Sequence, residues 1–289
     1  AGTRDVTVTK ADYSLTPVSS RYGARVLDDG GRKIGYLNFR TFISSGDQQL
    51  KDAYASFRAQ GITEFIVDLR YNGGGLVSTA NLFGDLLGGN RTTSQVFSRT
   101  TFRPEKSSND TVHFFTPTAQ SVSPVKIAFI GTSATASASE LVINGMVPFY
   151  NTSSVALVGG NTYGKPVGQV AIDKTACDDR LRVIAFATAN GAGNAGYYSG
   201  LASSVGTTCR AADDFTLPLG DLREASIRQA ADFLAGRACT AIAAGTDGNT
   251  AIAPGTPSGQ FGVDTILSEP ELLMPTQPTP AQREVPGLF

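Results

Sequence analysis

Three apolar runs that each break off into small, turn-forming residues constrain this chain more than any other feature. ITEFIVDLR at 62–70 runs into Asn72-Gly73-Gly74-Gly75, VKIAFI at 125–130 into TSATASASE at 132–140, and VALVG at 155–159 into NTYGKP at 161–166. Short apolar runs bounded by turn signals read as strands buried in a sheet. Between them the pattern becomes helical, over Leu76 to Leu87 and Glu140 to Met146. A further amphipathic stretch, Ser45 to Gln60, opens with the cap-favouring Ser45-Gly46-Asp47 and stops at Gly61. Strands alternating with helices predict an α/β fold with a mostly parallel sheet flanked by helices.

The rest of the chain is less regular. Residues 33–41 (KIGYLNFRT) predict another strand, and Arg4 to Lys10 a short alternating one followed by a polar link. Residues 90–124 read as irregular strands and loops, 167–190 as an antiparallel extension, and Leu222 to Ala235 as a closing helix. After about residue 240 the composition shifts to Gly, Ala, Thr and Pro, which predicts a flexible tail without its own core. The expected division is 1–32 as N-terminal strand and link, 33–240 as the main domain and 241–289 as tail. The opening AGTRDVTVTK carries no signal peptide and reads as the middle of a protein, with sequence expected upstream.

Composition narrows the function classes. The chain has 289 residues, 41% hydrophobic and 17% charged, with a net charge of -1. No basic stripe suggests nucleic acid, and no apolar run of about 18 residues suggests a membrane span. His113 is the only histidine and sits in the alternating DTVHFF, where it reads as a surface strand residue. A Ser-His-Asp triad must use it or not exist, and a histidine metal site is not expected. Cys177 and Cys209 flank one segment, so a disulfide between them is one expectation and three buried free thiols the other.

Three segments carry candidate chemistry. In TSATASASE, serines crowd a strand-to-helix junction, where free backbone N–H groups and the helix dipole stabilise an oxyanion. Ser and Thr are equally the favoured helix caps. Lys165 lies among glycines and apolar residues, outside any charge run. A lysine acts as a base only when neutral, a state that burial favours. If 165–169 is extended, Gln169 falls on the same side as Lys165; the alternative is a solvated loop lysine. The Asp68-Leu69-Arg70-Tyr71-Asn72 stretch and its three glycines form either an anion-binding turn or a plain tight turn.

Together the stretches KIGYLNFRTF, FIVDLRYNGGGLVSTANLFGDLL, VKIAFIGTSATASASELVINGM and VALVGGNTYGKPVGQ resemble the C-terminal processing (tail-specific) protease family of serine peptidases, in the family's order and over residues 1–240. The resemblance implies a core like that of Clp-type proteases and crotonases. It implies Ser137 as nucleophile, with Ser133 and Ser139 as neighbouring alternatives, Lys165 as general base, and Gln169 as its support. The implied oxyanion hole uses the Ala138 backbone and Gly74, with Gly75 the alternative. The family's usual PDZ domain is not among these residues. The sequence departs from the family in a longer Ser137–Lys165 interval, in having no acidic residue between Glu140 and Lys165, and in Pro166 after the lysine.

The implied activity is cleavage of unfolded proteins near their C-termini through a Ser-Lys dyad and an acyl-enzyme, without cofactor or metal, in a bacterial periplasm or cell envelope. The apolar end Pro286-Gly287-Leu288-Phe289 is either a disordered terminus or a segment that enters a substrate groove. Two rival classes share the fold: a non-catalytic ligand- or peptide-binding module, and a crotonase-type acyl-CoA enzyme. The first would lack Ser137 or Lys165; the second would need acid/base carboxylates and an adenine pocket.

Overall fold

The structure, a computed structural model, describes residues 5–243. Most of the expected tail thus lies outside the described residues.

The chain first forms a hairpin, β1 (Ala24–Asp29) and β2 (Arg32–Asn38). Gly30 and Gly31, both at positive φ, make its two-residue turn, whose twist matches that of the strands. Helices and strands then alternate. They are α1 (Ser45–Ala59), β3 (Glu64–Asp68) and α2 (Val77–Leu87); then β4 (Val96–Phe102), β5 (Thr111–Phe114), β6 (Lys126–Gly131) and α3 (Ala138–Met146); then β7 (Val155–Gly159). The chain closes with the hairpin β8 (Val167–Lys174) and β9 (Asp179–Asn190), the short β10 (Thr208–Arg210) and α4 (Ala225–Leu234).

Six strands build the main sheet in the order β1-β2-β3-β6-β7-β10, parallel except for β1 against β2. The strands are apolar on both faces because both are covered. On one face α1, α2 and α3 bury an aromatic cluster that includes Phe39, Phe42, Tyr54, Phe57, Phe65 and Phe83. On the other, α4 packs Ile227, Ala230 and Leu234 against Ile34, Ile66 and Val158. A second, antiparallel sheet runs β5-β4-β9-β8. The α/β expectation, with a mostly parallel sheet and an antiparallel extension, is met. Because β3, β6 and β7 are parallel, the three turns singled out in the sequence leave the sheet at the same edge, where open α/β sheets form their sites.

Three expectations are corrected. Residues 5–10 form no strand: Val6 and Val8 are exposed and have no sheet neighbour among the described residues. The N-terminal strand is instead β1, inside the segment taken as a link, and the Gly30-Gly31 turn signals it. The disulfide joins Cys209 to Cys239, leaving Cys177 exposed and free in the β8–β9 turn. After α4 the chain returns alongside β10, where Arg210 N–H donates to Thr240 O at 2.7 Å. This return brings the Cα atoms of Cys209 and Cys239 within 5.3 Å. Finally, His113 lies on β5 but is half-buried, with Nε2 3.1 Å from both oxygens of Asp85 on α2.

Candidate active site

The turn after β6 holds Ser137 at φ 57°, ψ -117°, a conformation that L-residues rarely adopt. It persists because its neighbours over-determine it. Ala136 N–H and Ser139 Oγ both donate to Asn72 O, and Thr135 Oγ1 donates to Leu69 O. Ser137 N–H donates to Glu140 Oε2 at 2.9 Å, one half of a capping box at the start of α3. Ser137 thereby sits at a sharp strand-to-helix corner. Ser139 is fully buried with its hydroxyl committed to Asn72, and Ser133 does not line the cavity described below.

The turn after β3 is clamped against the same corner. Asn72 is fully buried, donates Nδ2 to Phe39 O at 2.8 Å, and accepts the Gly74 N–H on Oδ1 at 2.9 Å. Phe42 N–H donates to Gly74 O, and Leu76 N–H to Phe42 O. A Cβ on Gly74, at φ 102°, would stand 2.8 Å from Ser137 Cβ, Ala136 O and Ala138 N. A Cβ on Gly75, at φ 137°, would overlap Phe42 O. Only glycine lets this turn lie so close to the serine.

The third turn, after β7, brings Lys165. Asn161 and Thr162 are buried, and Lys165 N–H donates to Glu140 Oε2 at 2.8 Å. Glu140 Oε1 accepts from Gly164 N–H at 2.7 Å and from Thr162 Oγ1 at 2.6 Å. One fully buried carboxylate therefore joins the backbone of Ser137 to the backbone of Lys165. Burial pushes its carboxyl above the ordinary value, against the lowering effect of the hydrogen bonds from Thr162, Lys165, Gly164 and Ser137. Neither Asn72 nor Glu140 was singled out from the sequence as a functional residue. The Ser-x-x-Glu spacing of a capping box was the available signal for Glu140.

A cavity of about 170 Å³ opens between these turns. Its polar side carries Ser137, Lys165, Gln169 and Thr188, with the backbone of Gly75 and Ala138. Its apolar wall is Val77, Leu141, Val167 and Phe186. Gln169 reaches it just past a register shift between β8 and β9, where Gly168 pairs with Phe186 but Gln169 with Ile184. Of the two glycines considered for an oxyanion hole, Gly74 backs the serine, does not line the cavity and donates its N–H to Asn72 Oδ1, whereas Gly75 lines the cavity. No acceptor among the described residues takes the N–H of Gly75 or of Ala138. Among the described residues no cluster of His, Cys, Asp or Glu is placed to hold a metal ion, and no helix is long and apolar enough to cross a membrane.

Known proteins are similar to this chain in sequence and in fold. A carboxyl-terminal-processing protease of Synechocystis sp. is 26% identical over 164 residues, covering 56% of this chain and 34% of that protein. The chain thus spans about a third of that relative's length. Among solved structures, a Bacteroides fragilis NCTC 9343 protein assigned as an S41 protease superimposes with a TM-score of 0.69 at 22% identity, over 78% of this chain and 59% of the other. The photosystem II D1 C-terminal processing protease gives a TM-score of 0.50 at 19% identity, over 73% and 49%. At these identities the two structures speak for the fold. The family model for peptidase family S41 matches residues 33–194, more than half of the 289. The match takes in all three turns of the cavity, and by it the chain belongs to peptidase family S41.

Proposed function

We propose that this chain is the catalytic part of a serine peptidase with Ser137 as nucleophile and Lys165 as general base. The observation that carries the proposal is the shared cavity. Ser137 enters it from a strained corner, beside Lys165, Gln169 and the two unclaimed N–H groups of Gly75 and Ala138. Lys165 Nζ takes the hydroxyl proton as Ser137 Oγ bonds to the peptide carbonyl carbon. The N–H groups of Gly75 and Ala138 bind the resulting oxyanion. As the C–N bond breaks, Lys165 returns the proton to the leaving amine. Water then gives a proton to the same lysine, attacks the acyl-enzyme and releases a carboxylate, and Ser137 recovers its proton. Gln169 orients the lysine.

The substrates proposed are unfolded polypeptides cut near their C-termini, a reading supported by the processing-protease names of the relatives. The Cys209–Cys239 bridge supports an oxidising, extracytoplasmic setting. Cleavage of casein by the wild type, Ser137→Ala and Lys165→Ala tests the dyad. Both variants are expected to lose at least ~10⁴-fold in kcat with circular dichroism unchanged. Retained activity in Ser137→Ala would remove Ser137 as nucleophile.

A further inference from the structure

β8 starts at the cavity and leaves it. Val167, Gly168 and Gln169 line the cavity, and the same strand continues to Lys174. Among the described residues it is an edge strand, whose sheet neighbour is β9 alone. The register sets Val170 opposite Val183 and Ile172 opposite Leu181. Side chains alternate along strands, so these four share one face, with Ala171, Asp173, Arg180 and Arg182 on the other. An apolar face of this kind normally lies against a core. Here its members are exposed, from 37% for Val170 and 39% for Val183 to 55% for Ile172 and 61% for Leu181.

We propose that the outer edge and apolar face of β8 are a docking track for the polypeptide being cut, which adds to the sheet as a fifth, extended strand. The inference rests on the peptidase reading and extends it to how substrates are chosen. Continuity is the first reason: the strand that bears the apolar residues also lines the cavity holding Ser137 and Lys165. The bulge lies where the two regions join. A Cβ on Gly168 would overlap the Phe186 ring there, so the absent side chain lets the ring lie against the strand. The second reason is size. Four side chains fall well short of the roughly 800 Å² per partner of a stable protein interface, but they suit one extended chain. The third is the edge itself. Its backbone groups pair with any main chain whose own amides are free, so an unfolded segment docks and a folded protein does not. Alternate apolar side chains of the segment cover Val170 and Ile172. The eight residues of β8 extend about 26 Å, so the track accommodates roughly eight substrate residues.

The test compares wild type with a quadruple variant, Val170→Thr, Ile172→Thr, Leu181→Thr and Val183→Thr, which keeps strand propensity while removing apolar surface. Kinetics would use a five-residue fluorogenic peptide and an apolar sixteen-residue one carrying the same cleaved bond. The long peptide is expected to lose roughly tenfold in kcat/KM, through KM, while the short one stays within about twofold. Methylating alternate backbone nitrogens of the long peptide should weaken it similarly on the wild type. Equal effects on both peptides, or none on either, would overturn the track. Dye-labelled long peptide is also titrated against both proteins by anisotropy. If wild type cleaves nothing but binds it, and the variant binds about tenfold more weakly, the peptidase reading fails and the track stands. Absence of any difference in binding sinks the track on its own. A wild-type dimer in sedimentation that the variant abolishes would assign the face to a second copy and refute the proposal.

Discussion

Two buried carboxylate clusters hold the cavity's turns, and they do so by different physics. Around Glu140 the hydrogen bonds come from neutral donors: three backbone N–H groups and the Thr162 hydroxyl. Around Arg70 the bonds are ionic. Its guanidinium contacts Asp68 at 2.8 Å and Glu224 at 2.9 Å, and Tyr36 donates to Asp68 at 2.7 Å. Burial disfavours the Arg70 charge, but the charges and hydrogen bonds of Asp68 and Glu224 outweigh it and hold the group above its usual value. Glu224 also caps α4 through the N–H groups of Ser226 and Ile227, so this cluster ties β3 to the helix on the far face of the sheet. The first cluster aligns two turns and keeps a group that protonation can change. The second holds a sheet to a helix through an arginine paired with two carboxylates. One governs alignment; the other governs whether the fold survives.

The largest effect should come from the ionic cluster. Arg70→Ala strands two buried carboxylates and is expected to cost about 3–5 kcal/mol in urea unfolding; a loss below ~1 kcal/mol would break the contrast. Glu140→Gln sharpens it from the other side. An amide offers one acceptor oxygen and turns an NH₂ toward the remaining donors. It is expected to lower kcat by about 100-fold with KM nearly unchanged, because small misplacements of the reacting groups weigh heavily. Its stability loss should stay near 1–3 kcal/mol; a melting curve that falls as far as that of Arg70→Ala would erase the distinction. Thr162→Val removes one donor to Glu140 and the acceptor for Leu201 N–H, for about 1 kcal/mol and a several-fold drop in kcat.

The smallest effect is a pH signature. Burial raises the Glu140 carboxyl in the fold above its ordinary value of 4.5, so its stability contribution is full below that value and fades as pH rises through the folded one. The wild type should therefore lose stability relative to Glu140→Gln as pH climbs from about 4.5. The difference between wild type and an Arg70→Met variant should run the other way, widening as pH rises, because the variant leaves Asp68 and Glu224 buried without their counter-ion. Parallel traces for the two pairs would mean that Glu140 does not titrate as described.

Much of this was legible in the sequence because it is local. The three apolar runs and their turn residues marked β3, β6 and β7, and parallel strands then oblige their turns to meet at one edge. Ser137, Lys165 and Gln169, which the resemblance to the tail-specific proteases picked out where each local pattern left alternatives open, line one cavity. What was not legible depends on partners distant in sequence. Gly74 and Gly75 are told apart by the Asn72 side chain, which claims the N–H of the first, and by the cavity, which only the second lines. Glu140 acts through the backbone of Lys165, 25 positions away. The alternation at Arg4 to Lys10 describes a face but names no strand to pair with. The bridge from Cys209 to Cys239 depends on the path the chain takes after α4.

That bridge has a consequence for how the molecule meets its own kind. β10 ends the six-stranded sheet, and its outer side is a ready template for another chain. The returning segment shields it: Thr240 accepts the Arg210 N–H, and Ile242 donates its N–H to Thr208 Oγ1 at 3.0 Å. The segment belongs to no strand, and the covalent link, these two hydrogen bonds and the buried Ile242 hold it in place. With a sequence separation of 30, the link removes about 3–4 kcal/mol of unfolded-state entropy. Reduction would release the guard before it touches the cavity, and the first symptom of a reducing milieu would be self-association along an uncovered sheet rather than a slower enzyme.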